Sequence, residues 1–212
     1  MDKSEWSEIK GKVKRYFPFY LLAFLLLLSC SEETKEEGDF DNWQTKNETE
    51  VVLWAADPAL RQILSYSKDE DLVTSPKITD YIYVEELEKG YGTETPLFTD
   101  TVRVAYRGRY IPTKSYADGL IFEQTFVNDF DWLTAGTTKF MAGSLVNGFT
   151  TALMNMHEGD RWLVHIPYTL GYGTSDHKGS SSTIPGYTDL VFEIALFDVW
   201  HPGEYRSIFK SR

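Results

Sequence analysis

VHIPYTLGYGTSDHKGSSSTIPGYTDLVFEI, residues 164–194, sets an apolar strand on each side of a long Gly/Ser loop. In the first strand Trp162, Val164 and Ile166 share one face by the period of two. Pro167, which lacks a backbone donor, must sit at its end. In the second strand Leu190, Phe192, Ile194 and Leu196 share a face in the same way. The loop between them is edged by Tyr172, set between Gly171 and Gly173, and by Ile184-Pro185-Gly186 on the far side. Two core strands and an aromatic-edged loop read as a pocket floor beneath a mobile flap.

Working outward, strand signals dominate from Tyr81-Ile82-Tyr83-Val84-Glu85-Glu86-Leu87, broken by Lys89-Gly90-Tyr91-Gly92. In the run Thr101 to Gly108, Val102, Val104 and Tyr106 alternate with Arg103 and Arg107, which predicts one buried and one wet face. A turn-rich insertion around Pro112 and Asp118-Gly119 leads to Leu120-Ile121-Phe122-Glu123, and residues 125–135 form a looser loop carrying Phe126, Phe130 and Trp132. A single convincing helix follows. Between Asn147 and Gly159 the apolar residues Phe149, Ala152, Leu153 and Met156 keep the i, i+3, i+4, i+7 spacing, and Gly159 is placed to end the helix at positive φ. The expected fold class is α+β, with an antiparallel sheet, joined by hairpin-length links, curled around one short α-helix.

Ahead of that domain, Trp43, Val51, Val52, Leu53, Trp54, Leu60, Ile63 and Leu64 recur at mixed helical spacings, and Asp57-Pro58 suggests a helix start at the proline. Residues 40–78 are therefore expected to be a helical extension of one or two helices. It reads either as packing on its own domain or as a homodimerisation or docking element, since Trp43 and Trp54 suit both roles.

Residues 1–29 have the layout of a secretory signal: Lys10, Lys12, Lys14 and Arg15, then an apolar run from Tyr16 to Leu28 that is too short to span a bilayer as a free helix. The run ends at Leu27-Leu28-Ser29-Cys30, which resembles the lipobox of bacterial lipoproteins. The resemblance implies lipidation at Cys30 and an outer-membrane lipoprotein of the bacterial envelope, on its periplasmic or its surface face. An ordinary signal peptide or an anchor with an incidental cysteine is the other reading. Residues 30–39, rich in glutamate, have too little apolar content to fold and form an acidic tether. Cys30 is the only cysteine, so an exported domain must be stable through its core. The expected organisation is signal 1–29, tether 30–39, helical extension 40–78, main domain 79–200 and tail 201–212.

Charge and chemistry exclude several classes. With 32 Asp and Glu against 21 Lys and Arg, the chain lacks the basic balance that nucleic-acid binding requires. His157, His165, His177 and His201 lack metal-ligand spacing, so neither a metal nor a cofactor is expected, and His177 should be solvated. Ser180, Ser181 and Ser182 lie in no Gly-x-Ser-x-Gly elbow, and Gly171-Tyr172-Gly173 lacks the lysine of a phosphate loop. What converges is aromatic.

Six ordered blocks carry a resemblance: Val104 to Gly108, Gly119 to Glu123, Gly143 to Phe149, His157 to Asp160, Ile166-Pro167 with Gly171-Tyr172-Gly173, and Ile184-Pro185 with Leu190 to Glu193. Together, over residues 79 to 200, they resemble the FKBP-type peptidyl-prolyl isomerases. The resemblance implies a sheet wrapped around the helix that begins near Phe149, with a shallow apolar pocket between them. It places the catalytic residues at Tyr106, Phe122, Glu123, Tyr172 and Phe192, and the substrate-binding residues at Leu145, Val146, Phe149 and Ile184. Phe149 stands where the family has a tryptophan, Glu123 where it usually has an aspartate, Thr138 where it has an aromatic ring, and Asp189 where a small residue is usual. No arginine to pair with the pocket acid can be placed between Phe126 and Gly136.

The implied activity needs no nucleophile. Rotating an X-Pro bond breaks amide resonance against a barrier of about 18–20 kcal/mol, and a dry pocket disfavours the more dipolar planar amide relative to the twisted one. Tyr106, Phe122, Phe149 and Phe192 would hold the proline ring, while Tyr172 and the Val146 amide would bond substrate carbonyls. Glu123 would polarise the rim or stand there as an ordinary solvated carboxylate. The implied partners are proline-containing peptides, unfolded envelope clients and the family's macrolide-type ligands. The competing function is a catalytically weak binding module, chaperone or assembly subunit of the outer membrane.

Overall fold

The computed structural model describes residues 38–68, 75–179 and 183–203. The signal, Cys30, most of the acidic tether, Ser180 to Ser182 and the end of the tail lie outside these residues. The described residues form one compact unit.

Helix α1 spans Trp43–Ala56 and β1 spans Arg61–Leu64. Strand β2 spans Tyr81–Glu88, β3 Thr101–Tyr110, β4 Ile121–Gln124 and β5 Thr138–Met141. Helix α2 spans Asn147–Leu153, followed by β6 (Arg161–Ile166), β7 (His177–Lys178), β8 (Thr183–Ile184) and β9 (Leu190–Trp200). The main sheet is antiparallel in the order β1-β2-β6-β9-β3-β4, with β5 also paired to β3. Its inner face closes on α2: Phe149, Ala152, Leu153 and Met156 share one core with Val102, Val104, Tyr106, Trp162, Val164, Ile166, Leu190, Phe192, Ile194 and Leu196. The expected α+β class, a sheet curled around one short helix behind an N-terminal helix, is the fold observed.

Four local expectations are corrected. Asp57-Pro58 ends a helix rather than starting one, because the residue before a proline is driven to extended backbone and Asp57 sits at φ −80, ψ 113. The Asp57 carboxylate then accepts the Ala59 N–H at 2.9 Å, turning the chain into β1, so Ile63 and Leu64 pair with β2 as strand residues. Helix α2 stops at Leu153, well before Gly159, since Asn155 and Met156 bond back three residues to Ala152 and Leu153 in tighter turns. Met156 stays buried all the same, which is why the helical spacing persists past the helix. Gly159 does take a positive φ, 91°, but in the turn that leads to β6.

The links are not uniformly of hairpin length. Strands β6 and β9 are neighbours in the sheet, yet residues 167–189 intervene between them. Lastly, the outer face of β3 is not wet. Ala105 of β3, Ala195 of β9 and Phe126 form a further core, with Phe130, Trp132 and Phe197 packed on it, and the Arg103 and Arg107 guanidinium carbons lie 4.8 Å and 4.4 Å from the Phe197 and Phe126 ring centres. A one-residue register step opposite Arg103 and Val104 leaves Phe197 over and turns it outward, so Leu196 and Val199 both reach the core.

Candidate functional site

The inner face of β3 runs Val102, Val104, Tyr106, Gly108, Tyr110 by the period of two, and the missing side chain at Gly108 opens the site. Gly108 pairs with Phe192 of β9 on one side and Glu123 of β4 on the other. A Cβ at Gly108 would stand 2.6 Å from Phe122 Cζ and 2.6 Å from Phe192 Cε1, so only glycine lets both rings lie over the strand.

Phe192 is the hub of the aromatic cluster. Its ring centre lies 5.0 Å from Phe149, 5.5 Å from Phe122 and 6.1 Å from Tyr106. The first two contacts are edge-to-face, at 82° and 83°, the arrangement that ring quadrupoles favour. Tyr106 closes the group at 5.9 Å from Phe149. Two rings that the sequence reading did not single out complete it: Tyr110 stacks on Phe122 at 5.3 Å, and Phe140 of β5 lies 6.0 Å from Tyr106. Thr138 therefore leaves β5 with one ring against the cluster, Phe140, two residues on. The alternation of β3 carried the missing signal, since it continues unbroken to Tyr110.

Above this floor a cleft of about 130 Å³ is lined by Phe122, Glu123, Tyr172, His177, Lys178, Gly179 and Ile184. Glu123 accepts a hydrogen bond from the Tyr106 hydroxyl. Burial raises the Tyr106 hydroxyl above the ordinary tyrosine range, and the Glu123 charge adds to the effect. Burial raises Tyr172 as well, again with Glu123 contributing second. Both phenols are thereby kept as donors. Arg107, on β3, is engaged elsewhere: it donates to Gln124 at 3.1 Å and to the Phe126 carbonyl at 3.4 Å.

His177 is exposed, as expected, but it is not simply solvated. Its ring stacks on Tyr172 at 4.1 Å and 14°, in the short β7–β8 ladder that gives the flap its own structure. Ile184 is buried in a second core together with Trp43, Val51, Trp54, Tyr83, Tyr110 and Ile111, against which Tyr172 and Phe122 also pack. Leu145 and Val146, just before α2, are half-buried against the main core and do not line the cleft. Of the nine residues singled out as site residues, the structure thus gathers seven around one aromatic floor and flap.

Residue type and order agree with this geometry across proteins. The family model for FKBP-type peptidyl-prolyl cis-trans isomerases matches residues 92–197, half of the chain. The chain is 30% identical over 131 residues to the macrophage infectivity potentiator of Trypanosoma cruzi, covering 62% of this chain and 59% of that protein. It is 36% identical over 120 residues to a probable FKBP-type 25 kDa peptidyl-prolyl cis-trans isomerase of Pseudomonas aeruginosa, covering 57% and 44%. The chain thus spans about half the length of these relatives. Among solved structures, a peptidyl-prolyl cis-trans isomerase of Pseudomonas syringae superposes with a TM-score of 0.55 at 27% identity, covering 77% of this chain and 98% of that one. The matched segment contains β3, α2, β6 and most of β9, the elements that place Tyr106, Phe149 and Phe192, and on that ground the chain belongs to the family of FKBP-type peptidyl-prolyl cis-trans isomerases.

Proposed function

We propose that the protein is a peptidyl-prolyl cis-trans isomerase that assists the folding of exported or envelope proteins. The observation that carries this reading is the Phe192 hub, with Phe149, Phe122 and Tyr106 on its ring and a cleft opening over Phe122. An apolar ring the size of proline can enter such a floor, while Tyr172 at the flap stays protonated to donate to a substrate carbonyl. Moving the X-Pro amide from water into this site favours the less dipolar twisted form, and the oriented donor holds it there. Phe149 offers a smaller floor than the tryptophan it replaces. The same pocket would take proline-containing peptides and macrolide-type ligands.

NMR exchange spectroscopy on a short X-Pro peptide tests the activity. With substoichiometric protein, cis-trans exchange should become visible, since the uncatalysed step takes tens to hundreds of seconds. Peptide binding without exchange would favour the binding-module reading instead. The envelope location rests on the apolar run ending at Cys30. In a bacterial host, metabolic labelling with palmitate should tag the wild type and miss Cys30→Ala. Unlabelled wild type would remove the lipoprotein assignment.

A further inference from the structure

We infer that helix α1 is a clasp on the roots of the flap, and that Asn47 and Trp43 are positioning residues for the pocket. The inference rests on the isomerase reading for its functional consequence and on hydrogen bonds for its structural one. The ladder between β6 and β9 ends at the pair Ile166 and Leu190. Beyond it the two chains part into the flap, where backbone bonds resume at the Tyr187 N–H, which donates to the Gly173 carbonyl at 2.9 Å, and in the short β7–β8 ladder.

Helix α1 takes over where the ladder stops. Its buried stripe is Trp43, Asn47, Val51 and Trp54, so a polar side chain with 0% exposure sits in the middle of an apolar face. A buried amide is costly unless its groups are bonded, and here both are. Asn47 Nδ2 donates to the Trp43 carbonyl at 2.7 Å, and Asn47 Oδ1 accepts the Asp189 N–H at 2.7 Å. Asp189 in turn accepts the Tyr168 N–H at 2.7 Å, which ties the outgoing root to the returning one. One turn earlier on the helix, Trp43 Nε1 donates to Thr188 Oγ1 at 2.8 Å, and the Thr188 hydroxyl donates to the Pro185 carbonyl at 2.6 Å. Pro185 follows Ile184, whose side chain reaches the second core formed with Trp43, Val51 and Trp54. The path from α1 to the cleft is therefore short: helix, flap root, Ile184, and Tyr172 packed beside it.

This assigns the segment before the main domain a role in aiming the flap. A misplacement on the scale of one ångström is enough to cost a catalytic site much of its rate. The test uses the full chain with Asn47→Ala, Trp43→Phe, which keeps an apolar ring but loses the indole donor, and Thr49→Ala as a control. Thr49 bonds only to the Thr45 carbonyl within α1 and should change nothing. Amide hydrogen exchange is read at residues 168–178 and 183–189 and at β3, beside kcat/KM on an X-Pro peptide.

For Asn47→Ala, flap exchange should accelerate on the order of ten-fold while β3 amides keep their rates, and kcat/KM should fall on the order of ten-fold. Trp43→Phe should shift both in the same direction by less. Unchanged flap exchange in both variants overturns the clasp, and so does acceleration that is equal in β3, because that is what a merely structural helix would give. If the wild type fails to isomerise prolines while the flap still responds selectively, the proposed activity falls and the clasp stands.

Discussion

The floor and the flap of the pocket are built on different principles. The floor is made of strands and a helix packed on the main core, where Phe192, Phe149 and Tyr106 are held by regular backbone and by one another. Among the described residues the flap's own bonds are few, the His177–Ile184 and Lys178–Thr183 pairs with the Tyr187-to-Gly173 and Gly186-to-Asp176 hydrogen bonds, and it borrows the rest of its order from α1 and the second core. A floor of this kind resists change until it breaks. A flap of this kind can be tuned from outside the cleft.

The largest effect should come from the hub. Phe192→Ala removes the ring shared by Phe122, Phe149 and Tyr106, and it should cost ~3–5 kcal/mol in chemical denaturation together with nearly all isomerase activity. A well-folded, active variant would mean that the floor is not organised on Phe192. Next, Gly108→Ala drives a methyl group into Phe122 and Phe192 at 2.6 Å. Overpacking of this sort costs ~1–3 kcal/mol, and activity should drop more steeply than stability because both displaced rings wall the site. Equal tolerance in the two measurements would argue that the rings shift without consequence.

The roots of the flap carry a pH dependence. Burial pushes the Asp189 carboxyl up to about 8 from 3.8, against the Tyr168 N–H, which favours the charged form, and with Glu50 and Glu48 adding to the rise. The folded state thus binds this proton more tightly than the unfolded one, so the stabilising contribution is full below 3.8 and is lost as pH rises to about 8. His165, whose ring lies tilted 4.9 Å from Trp54, is displaced the other way, to about 4 from 6.5, by burial and against the pull of Asp57. Its contribution is full above 6.5 and is lost as pH falls to about 4. The two oppose each other between 4 and 6.5, which leaves Asp189 alone from 6.5 to 8. In that upper window stability should fall by up to about 1.4 kcal/mol per pH unit, and Asp189→Asn should abolish the fall. Thermal melts across the window decide the matter; an identical slope in the variant sinks the assignment.

The smallest effect is expected at the flap hydroxyl. Tyr172→Phe keeps the ring that stacks on His177 and loses a donor worth ~0.5–1.5 kcal/mol to the reaction, a few-fold in kcat/KM, with the melting temperature unmoved. A shift in melting temperature would place Tyr172 in the scaffold instead.

Much of the floor was legible without coordinates. The period of two in β3, β6 and β9 and the helical spacing from Phe149 name most of the core, because each follows from backbone geometry alone. The same logic misplaced the end of α2, since Met156 stays buried through turns that are not helical. It also misjudged Asp57-Pro58, where a cap and a strand compete for the same few residues.

Strand alternation, the aromatic inventory and the order of the blocks that mark the family are written in the residues themselves. These are local, and spacing expresses them. The tertiary structure alone decided that the loop bearing Phe126, Phe130 and Trp132 covers the outer face of β3, that Gly108 is the gap through which two rings meet, and that Asn47 binds Asp189 across 142 positions of chain. No periodicity encodes such contacts, because each depends on which surfaces the sheet, once curled, brings within hydrogen-bond reach.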